Sequence, residues 1–266
     1  MKRIVVLLLV LVLLVLCLFA CDKKADDKEY VAIVSAMDNE IATLLEEANI
    51  EYEEDFGGVT YHVGTLRGQN VVIAKSGIGK VRSSSVATTM FNQYKVKSVL
   101  FTGIAGGVKD GTEILDVVIS TRLVEHDYGT WTNDGFIWTS GDPGMGIEPG
   151  EYYVATPALV ELAYNSAIEA IDTSEYNVYK GTIATGDQFI ASEDVCDRLR
   201  ADYDAYACEM EGASVAVICI RYGIPFVVIR ALSDKADGAA HDSYENFGDI
   251  AAQNSSKIVL KMLEKM

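Results

Sequence analysis

Short apolar runs alternate with segments of helical spacing along most of the chain. The run at 29–37 is rich in β-branched residues and predicts a buried strand. The segment at 38–48 places isoleucine and leucine at helical spacing, with acidic residues in its first turn, and predicts a helix. Residues 59–77 predict two strands joined by a turn at 67–70, and residues 80–94 predict the next helix.

The same alternation continues to the end of the chain. Further strands are predicted at 96–108, 114–127, 177–192, 205–212 and 224–234. Further helices are predicted at 156–171, 192–203, 212–223 and 243–265. Because the strands are nearly continuous apolar runs that alternate with helices, the pattern predicts an α/β fold, a three-layer αβα sandwich with a central mixed, largely parallel sheet.

One long interruption stands out in this pattern. Residues 129–151 are rich in glycine, proline, aspartate and aromatic residues, and they predict a surface excursion. No other break suggests a domain boundary, so we expect residues 30–266 to form a single domain. Half of the 266 residues are hydrophobic, which is enough for a large core.

The charge of the chain excludes some classes of partner. The formal net charge is -17. A nucleic-acid-binding surface needs a basic patch, so we expect no nucleic acid partner. Simple electrostatic adhesion to an anionic membrane is disfavoured for the same reason, and the acidity is typical of a soluble surface.

The N-terminus has the pattern of an export signal. Lys2 and Arg3 precede an apolar run at 4–20, and Cys21 follows it. The end of the run resembles a bacterial lipobox, which predicts a signal peptide at 1–20, lipidation of Cys21 and a polar tether at 21–29. An uncleaved membrane anchor is the alternative, since 17 apolar residues are near the lower limit for a span. Both interpretations predict an exported, membrane-anchored protein on the periplasmic or cell-surface side.

The remaining cysteines and the histidines give no sign of a metal site. Beyond Cys21 there are three cysteines with apolar or helical neighbours and no CxxC motif, and we expect them to be buried free thiols; they are Cys196, Cys208 and Cys219. The three histidines have no ligand spacing and are interpreted as structural or surface residues; they are His62, His126 and His241. We expect neither a metal nor a cofactor.

Four ionisable residues lie in segments whose other residues are apolar. They are Glu209, Glu211, Arg230 and Asp234, all within residues 207–237. Burying an unpaired charge costs several kcal/mol. Such groups must therefore pair with each other, lie at the ends of elements, or belong to a functional site.

Unusual residues also recur where predicted strands end. They are Glu40, Gly106, Phe189, Glu211 and Asp234, each after a different strand. In α/β sheets, ligands bind where strands end and helices begin. We therefore expect these residues to converge at one edge of the sheet.

Six motifs occur at these positions in a characteristic order. They are AMDNE at 36–40, KSGIGKV at 75–81, TGIAGG at 102–107, GDQFI at 186–190, CEMEG at 208–212 and PFVVIRALSDKAD at 225–237. Together they resemble the bacterial 5'-methylthioadenosine/S-adenosylhomocysteine nucleosidases, within the nucleoside phosphorylase superfamily. The resemblance spans residues 30–265, and it implies a nucleoside phosphorylase-like fold and a homodimer.

The resemblance implies an acid/base mechanism. Glu40 matches the family's catalytic base, which deprotonates the attacking water. Asp234 matches the acid that protonates N7 of the leaving purine. Glu211 matches the carboxylate that binds the ribose hydroxyls, and Met210 matches the residue packed under the sugar.

The resemblance also implies the remaining substrate contacts. Phe189 matches the residue that stacks on adenine, whereas Gly106 and Ile190 match positions that contact the base, Ile190 mainly through its backbone. Arg230 is expected to help hold the water and the acidic cluster. Ile78 and Ser233 lie within the matching motifs and are expected to bind substrate.

These matches imply hydrolysis of the N-glycosidic bond of adenine nucleosides with a 5' substituent, with release of adenine. The expected substrates are methylthioadenosine, S-adenosylhomocysteine and 5'-deoxyadenosine. One alternative is a phosphate-dependent nucleoside phosphorylase, although the positions that hold phosphate in those relatives are here Phe101 and Ile104; Arg82 keeps this alternative open. The other alternative is a non-catalytic surface lipoprotein that captures nucleosides or adheres to another molecule.

Three features depart from the family pattern. Ile104 replaces a serine whose hydroxyl helps to orient the water. The segment at 126–129 reads His-Asp-Tyr-Gly in place of an aspartate-rich sequence. The excursion at 129–151 is also unusual, and in the family this region helps to form the dimer and the 5' pocket.

Overall fold

We describe the fold from a computed structural model, which describes residues 28–266. The predicted signal segment at 1–20, Cys21 and most of the tether lie outside the described residues. Within residues 28–266, no helix is long and apolar enough to cross a membrane.

Strands and helices alternate through the described chain. The strands are β1 (Tyr30–Ser35), β2 (Asn49–Phe56), β3 (Val59–Leu66), β4 (Gln69–Lys75), β5 (Val96–Gly107), β6 (Val117–Glu125), β7 (Gly129–Thr132), β8 (Gly135–Trp138), β9 (Tyr153–Val154), β10 (Val178–Thr185), β11 (Ala205–Glu209) and β12 (Phe226–Asp234). The α-helices are α1 (Asp38–Glu47), α2 (Lys80–Gln93), α3 (Pro157–Ala170), α4 (Glu193–Tyr203), α5 (Gly212–Tyr222) and α6 (Ala240–Lys265).

The main sheet is mixed and its helices cover both faces, which confirms the predicted fold class. Its strand order is β11-β10-β6-β12-β5-β1-β4-β3-β2, with β9 added to β6. Helix α6 packs on β5 and β12 together with α1 and α3, whereas α2 packs against α5 on the other side. Strand β11 pairs with β5 as well as with β10, so this end of the sheet closes on itself.

The register of three strands brings their C-terminal ends to one place. Strand β12 runs parallel to β5, with Arg230 opposite Gly103 and Asp234 opposite Gly106. Strand β11 runs antiparallel to β5 and places Cys208 opposite Gly106 as well. The last residues of β5, β11 and β12 therefore surround one point at the edge of the sheet.

Three elements differ from the sequence-based expectations. Strand β2 was not predicted; it lies at the edge of the sheet, and its polar, mostly exposed residues lack the apolar signal of a buried strand. The excursion at 129–151 contains a β7–β8 hairpin whose turn ends at Gly135, with a φ of 122°. Helix α6 begins at Ala240, three residues before the predicted start at 243.

The cysteines of the described chain are free and buried, as expected. They are Cys196, Cys208 and Cys219. No group of histidine, cysteine, aspartate or glutamate within residues 28–266 is arranged to hold a metal ion.

Candidate active site

A cavity of about 420 Å³ opens at the edge where β5, β11 and β12 end. This volume lies in the range of small-molecule sites, roughly 300–1,000 Å³. Seven of the predicted site residues line it: Glu40, Ile78, Phe189, Met210, Glu211, Ser233 and Asp234. They come from five separate segments of the chain, and only the fold brings them together.

Three predicted site residues lie behind the lining instead of in it. The side chain of Ile190 is in an apolar cluster with Val108 and Val124 and does not line the cavity. Gly106 lies under Asp234, and a Cβ there would stand 2.8 Å from Oδ1 of that aspartate. Arg230 is 1% exposed and lies beneath the cavity floor.

Glu40 is fixed by the backbone of two different elements. It lies in the first turn of α1, where one carboxylate oxygen (Oε2) accepts hydrogen bonds from the N–H groups of Ala36 and Met37, both at 2.8 Å. The other oxygen (Oε1) accepts a hydrogen bond from the N–H of Ile104 at the end of β5, at 2.9 Å. Burial raises the pKa of Glu40, although Arg230 and these N–H groups oppose the rise.

Gly103 makes this contact between α1 and β5 possible. A Cβ at this position would stand 2.3 Å from Oε1 of Glu40 and 2.6 Å from Nη1 of Arg230. Both distances are far below van der Waals contact, so the missing side chain leaves the space in which the carboxylate and the guanidinium meet β5.

Asp234 ends β12 and is also buried. Its Oδ2 accepts a hydrogen bond from the Ser233 hydroxyl at 2.8 Å, and its Oδ1 accepts one from the N–H of Ala236 at 2.8 Å. Burial raises the pKa of Asp234, and these two hydrogen bonds oppose the rise only in part. The protonated form of this carboxyl is therefore favoured at a higher pH than usual.

Glu211 lies at the start of α5 and is held from across the cavity. Its Oε1 accepts a hydrogen bond from the N–H of Gly79, at 2.7 Å. Burial, together with the negative charge of the neighbouring Glu209, raises the pKa of Glu211 to about 8. Arg230 opposes this rise, with a guanidinium nitrogen 3.7 Å from the Glu211 carboxylate.

Aromatic side chains form another wall of the cavity. The Phe189 ring stacks on the His241 ring with 4.7 Å between centroids, and it meets the Tyr244 ring edge-on at 6.2 Å. Phe189 is 44% exposed, so a face of this apolar ring is open to a ligand. The opening is therefore lined by π systems on which a purine can stack.

A network of charged groups positions the loop that carries Phe189. Asp127 accepts hydrogen bonds from the Lys80 ammonium at 2.7 Å and from the N–H of Asp187 at 2.8 Å. The Asp187 carboxylate in turn accepts a hydrogen bond from the N–H of Lys80, at 2.8 Å. The unusual segment at 126–129 thus ties this loop to the start of α2.

The sequence did not identify several residues of the lining. Met37, His241 and Tyr244 contribute to the wall, and the Tyr244 hydroxyl lies 3.6 Å from the Met37 sulfur. The helix that carries His241 begins at Ala240, so this histidine lies in its first turn, whereas the lack of ligand spacing had indicated only a structural or surface residue. Its spacing of three residues from Tyr244, one turn of the same helix, was the signal available in the sequence.

No lysine or arginine of residues 28–266 lines this cavity. Arg82 instead donates a hydrogen bond to the carbonyl of Ile78 at 2.7 Å, and its side chain is exposed. Phe101, which occupies a position that holds phosphate in related phosphorylases, is fully buried under the Arg230 guanidinium. The described lining thus presents carboxyl groups and apolar surface, which suits a neutral nucleoside better than a phosphate ion.

Comparisons with known proteins agree with this geometry. The family model described as Phosphorylase superfamily matches residues 30–264. A 5'-methylthioadenosine/S-adenosylhomocysteine nucleosidase of Anoxybacillus flavithermus is 38% identical over 237 residues, which cover 89% of this chain and 98% of the relative. An aminodeoxyfutalosine nucleosidase of Helicobacter pylori is 33% identical over 238 residues, which cover 89% of this chain and 98% of the relative.

Solved structures give the same result in three dimensions. A mutant Helicobacter pylori nucleosidase with 5'-methylthioadenosine in its active site superposes with a TM-score of 0.79 and 33% identity, covering 89% of this chain and 99% of that one. A Neisseria meningitidis nucleosidase in complex with methylthio-immucillin-A gives a TM-score of 0.80 and 33% identity, covering 90% and 100%. The chain belongs to the phosphorylase superfamily and, within it, to the 5'-methylthioadenosine/S-adenosylhomocysteine nucleosidases.

Proposed function

We propose that this protein hydrolyses the N-glycosidic bond of adenosines that carry a 5' substituent and releases adenine. The observation that carries the proposal is that Glu40 and Asp234, two buried carboxyl groups with raised pKa values, line one cavity of nucleoside size. The names of the relatives, which include nucleosidases for methylthioadenosine, S-adenosylhomocysteine and aminodeoxyfutalosine, support the substrate class.

Asp234 acts as the general acid in this reaction. Cleavage of the bond leaves negative charge on the purine, and a protonated carboxyl can donate its proton to N7 as the base departs. The raised pKa of Asp234 keeps that proton available at a higher pH than an exposed aspartate would. Ser233 holds the carboxyl by donating a hydrogen bond to its other oxygen.

Glu40 acts as the general base. It accepts a proton from water while the water oxygen forms a bond to the anomeric carbon, whose bond to the purine nitrogen breaks. The purine takes the electron pair of the broken bond and the proton of Asp234. The water proton ends on Glu40, so the net products are adenine and a sugar with a free anomeric hydroxyl.

Other lining residues hold the nucleoside for this reaction. Glu211 binds the ribose hydroxyls, and its negative form also stabilises the positive charge that develops on the sugar. Met210 packs under the sugar, whereas Phe189 stacks on the adenine ring. The apolar part of the wall, with Ile78 and Met37, receives the 5' substituent.

An adenine-release assay with and without phosphate tests this proposal. We expect methylthioadenosine to give adenine and free methylthioribose at a rate that does not change when phosphate is added. A strict requirement for phosphate, with a sugar 1-phosphate as product, would mean a phosphorylase. Tight binding of the nucleoside without any release of adenine would mean a capture protein. Including S-adenosylhomocysteine, 5'-deoxyadenosine and aminodeoxyfutalosine identifies the preferred 5' group.

We further propose that the protein is exported and anchored through a lipid on Cys21. The export pattern at 1–20 supports this assignment. The full chain should be expressed in a bacterium and the cells fractionated. We expect the wild type in the membrane fraction. We expect the Cys21→Ser variant to incorporate no lipid label. Labelling of the variant equal to that of the wild type would contradict the proposal.

The family also supports a homodimer as the working state. Light scattering of the protein without its signal segment is expected to give twice the mass of one chain. A single-chain mass at micromolar concentration would contradict this part of the proposal.

A further inference from the structure

Glu40, Glu209 and Glu211 form a cluster of carboxyl groups around Arg230. Of these three, Glu209 has no assigned part in the reaction. It ends β11, two residues before Glu211, and its side chain is buried. Its Oε2 accepts hydrogen bonds from the N–H groups of Glu211 and Gly212, at 3.0 and 2.7 Å, and from Nη2 of Arg230, at 2.6 Å. Its Oε1 accepts a hydrogen bond from the Thr185 hydroxyl.

Arg230 depends on this one acceptor. Within residues 28–266, Glu209 is the only group that accepts a hydrogen bond from its guanidinium, since Nε and Nη1 have no partner and Glu211 is 3.7 Å away. The guanidinium also lies over the Phe101 ring, 4.4 Å from its centroid. A ring face does not fix the rotation of a guanidinium as a short ion pair does.

The free side of the guanidinium faces the proposed base. Nη1 of Arg230 and Oε1 of Glu40 flank the same small space above Gly103. One buried cation therefore lies among three carboxyl groups with different tasks. The position of the guanidinium determines how strongly its positive charge interacts with each of the three carboxyl groups, Glu40, Glu209 and Glu211.

We propose that Glu209 is a positioning residue that locks Arg230 to the start of α5 and so keeps the guanidinium from pairing fully with Glu40 or Glu211. The inference rests on the proposed hydrolase function. Glu209 borders the cavity, but both of its carboxylate oxygens already accept hydrogen bonds from protein groups, so we assign it no direct part in the chemistry. It acts through Arg230, by holding the cation in the middle of the cluster, and its own carboxylate is anchored by the N–H groups at the start of α5.

The test is Glu209→Gln, which keeps the size of the side chain and removes its charge. The freed guanidinium moves towards Glu40 and Glu211, which weakens the base and disturbs ribose binding. We expect kcat/KM for adenine release to fall by about 100-fold, the scale of a small misplacement in an active site.

The pH profile separates positioning from a purely structural role. The charged groups that face Glu211 are Glu209 on β11, Arg230 on β12 and Glu40 on α1. Removing the charge of Glu209 ends its repulsion of Glu211 and frees Arg230 to approach it. Both changes lower the pKa of Glu211 from about 8, so the corresponding titration in kcat/KM should move to lower pH.

Asp116→Asn is the matched control. Asp116 is also a buried carboxylate that accepts hydrogen bonds from backbone N–H groups, those of Glu113 and Asn177, but its side chain lies outside the cavity. This variant should lose stability without moving the pH profile. An unmoved profile in Glu209→Gln overturns the positioning role, whereas a wild type that releases no adenine overturns the hydrolase function itself.

A second comparison decides the matter if Glu209→Gln does not fold. Glu209→Gln/Arg230→Met removes both members of the buried pair, which is tolerated better than the loss of one member. If Glu209 acts through Arg230, the double variant should match Arg230→Met alone in kcat/KM to within about threefold. A further large loss in the double variant would show an independent effect and contradict the proposal.

Discussion

Asp234→Asn is expected to lower kcat for adenine release by about 10²–10⁴-fold, the usual effect of losing a general acid. The amide cannot give a proton to the leaving purine, although it has the same shape as the carboxyl. It can still accept a hydrogen bond from the N–H of Ala236 and make one with the Ser233 hydroxyl. Binding of substrate and thermal stability should therefore change little, and single-turnover kinetics will isolate the chemical step.

Asp237→Asn provides the control for this variant. Asp237 follows β12 in the same loop, and its carboxylate accepts a hydrogen bond from the N–H of Ala239 at 2.9 Å. It does not line the cavity, so its variant should retain kcat within about twofold. An Asp234→Asn protein with wild-type kcat would remove this aspartate from the mechanism.

Glu40→Gln is expected to have an effect of similar size, about 10²–10⁴-fold on kcat, because an amide cannot accept a proton from water. This substitution also disturbs the fold. The carboxylate accepts hydrogen bonds from three backbone N–H groups, and the amide nitrogen would face at least one of them as a second donor. We expect a loss of about 1–3 kcal/mol in the free energy of unfolding, so rates should be measured well below the unfolding temperature.

Asp38→Asn is the control on the same helix. Asp38 lies two residues earlier in α1, is exposed, and pairs with Lys75 at the surface. Its loss should leave both kcat and stability close to those of the wild type.

The pH dependence adds a second criterion for Glu40. The base works only when ionised, so its activity is lost as pH falls through its raised pKa. This acid limb should be absent from the residual activity of Glu40→Gln. Its survival at the same pH in that variant would assign the limb to another group.

The sequence was sufficient to predict the layers of the fold and the convergence of the residues that follow the C-terminal ends of the strands. Apolar runs and helical spacing are local properties, and they located most strands and helices correctly. The residues that follow four of these strands lie together because the C-terminal ends of the strands are at one edge of the sheet; they are Glu40, Phe189, Glu211 and Asp234. Their chemical roles came from the family resemblance, since spacing alone does not distinguish an acid from a base.

Apolar runs and helical spacing could not predict the role of Glu209. Its contact with Arg230 depends on β11 turning back to pair with β5 while β12 pairs with β5 on its other side. That closure of the sheet is a long-range property and leaves no local periodicity. The edge strand β2 and the β7–β8 hairpin were missed for a different reason, because neither contains the buried apolar run that marks an inner strand.

The position of Gly103, next to the buried charges, tolerates no side chain. Every other amino acid would place a carbon atom where the Glu40 carboxylate and the Arg230 guanidinium now meet the backbone of β5. A mutational library at this codon should therefore yield active clones with glycine alone, even though the residue has no functional group. Substitutions that change the substrate preference are therefore expected in the outer wall of the cavity, where they do not displace Glu40 or Arg230.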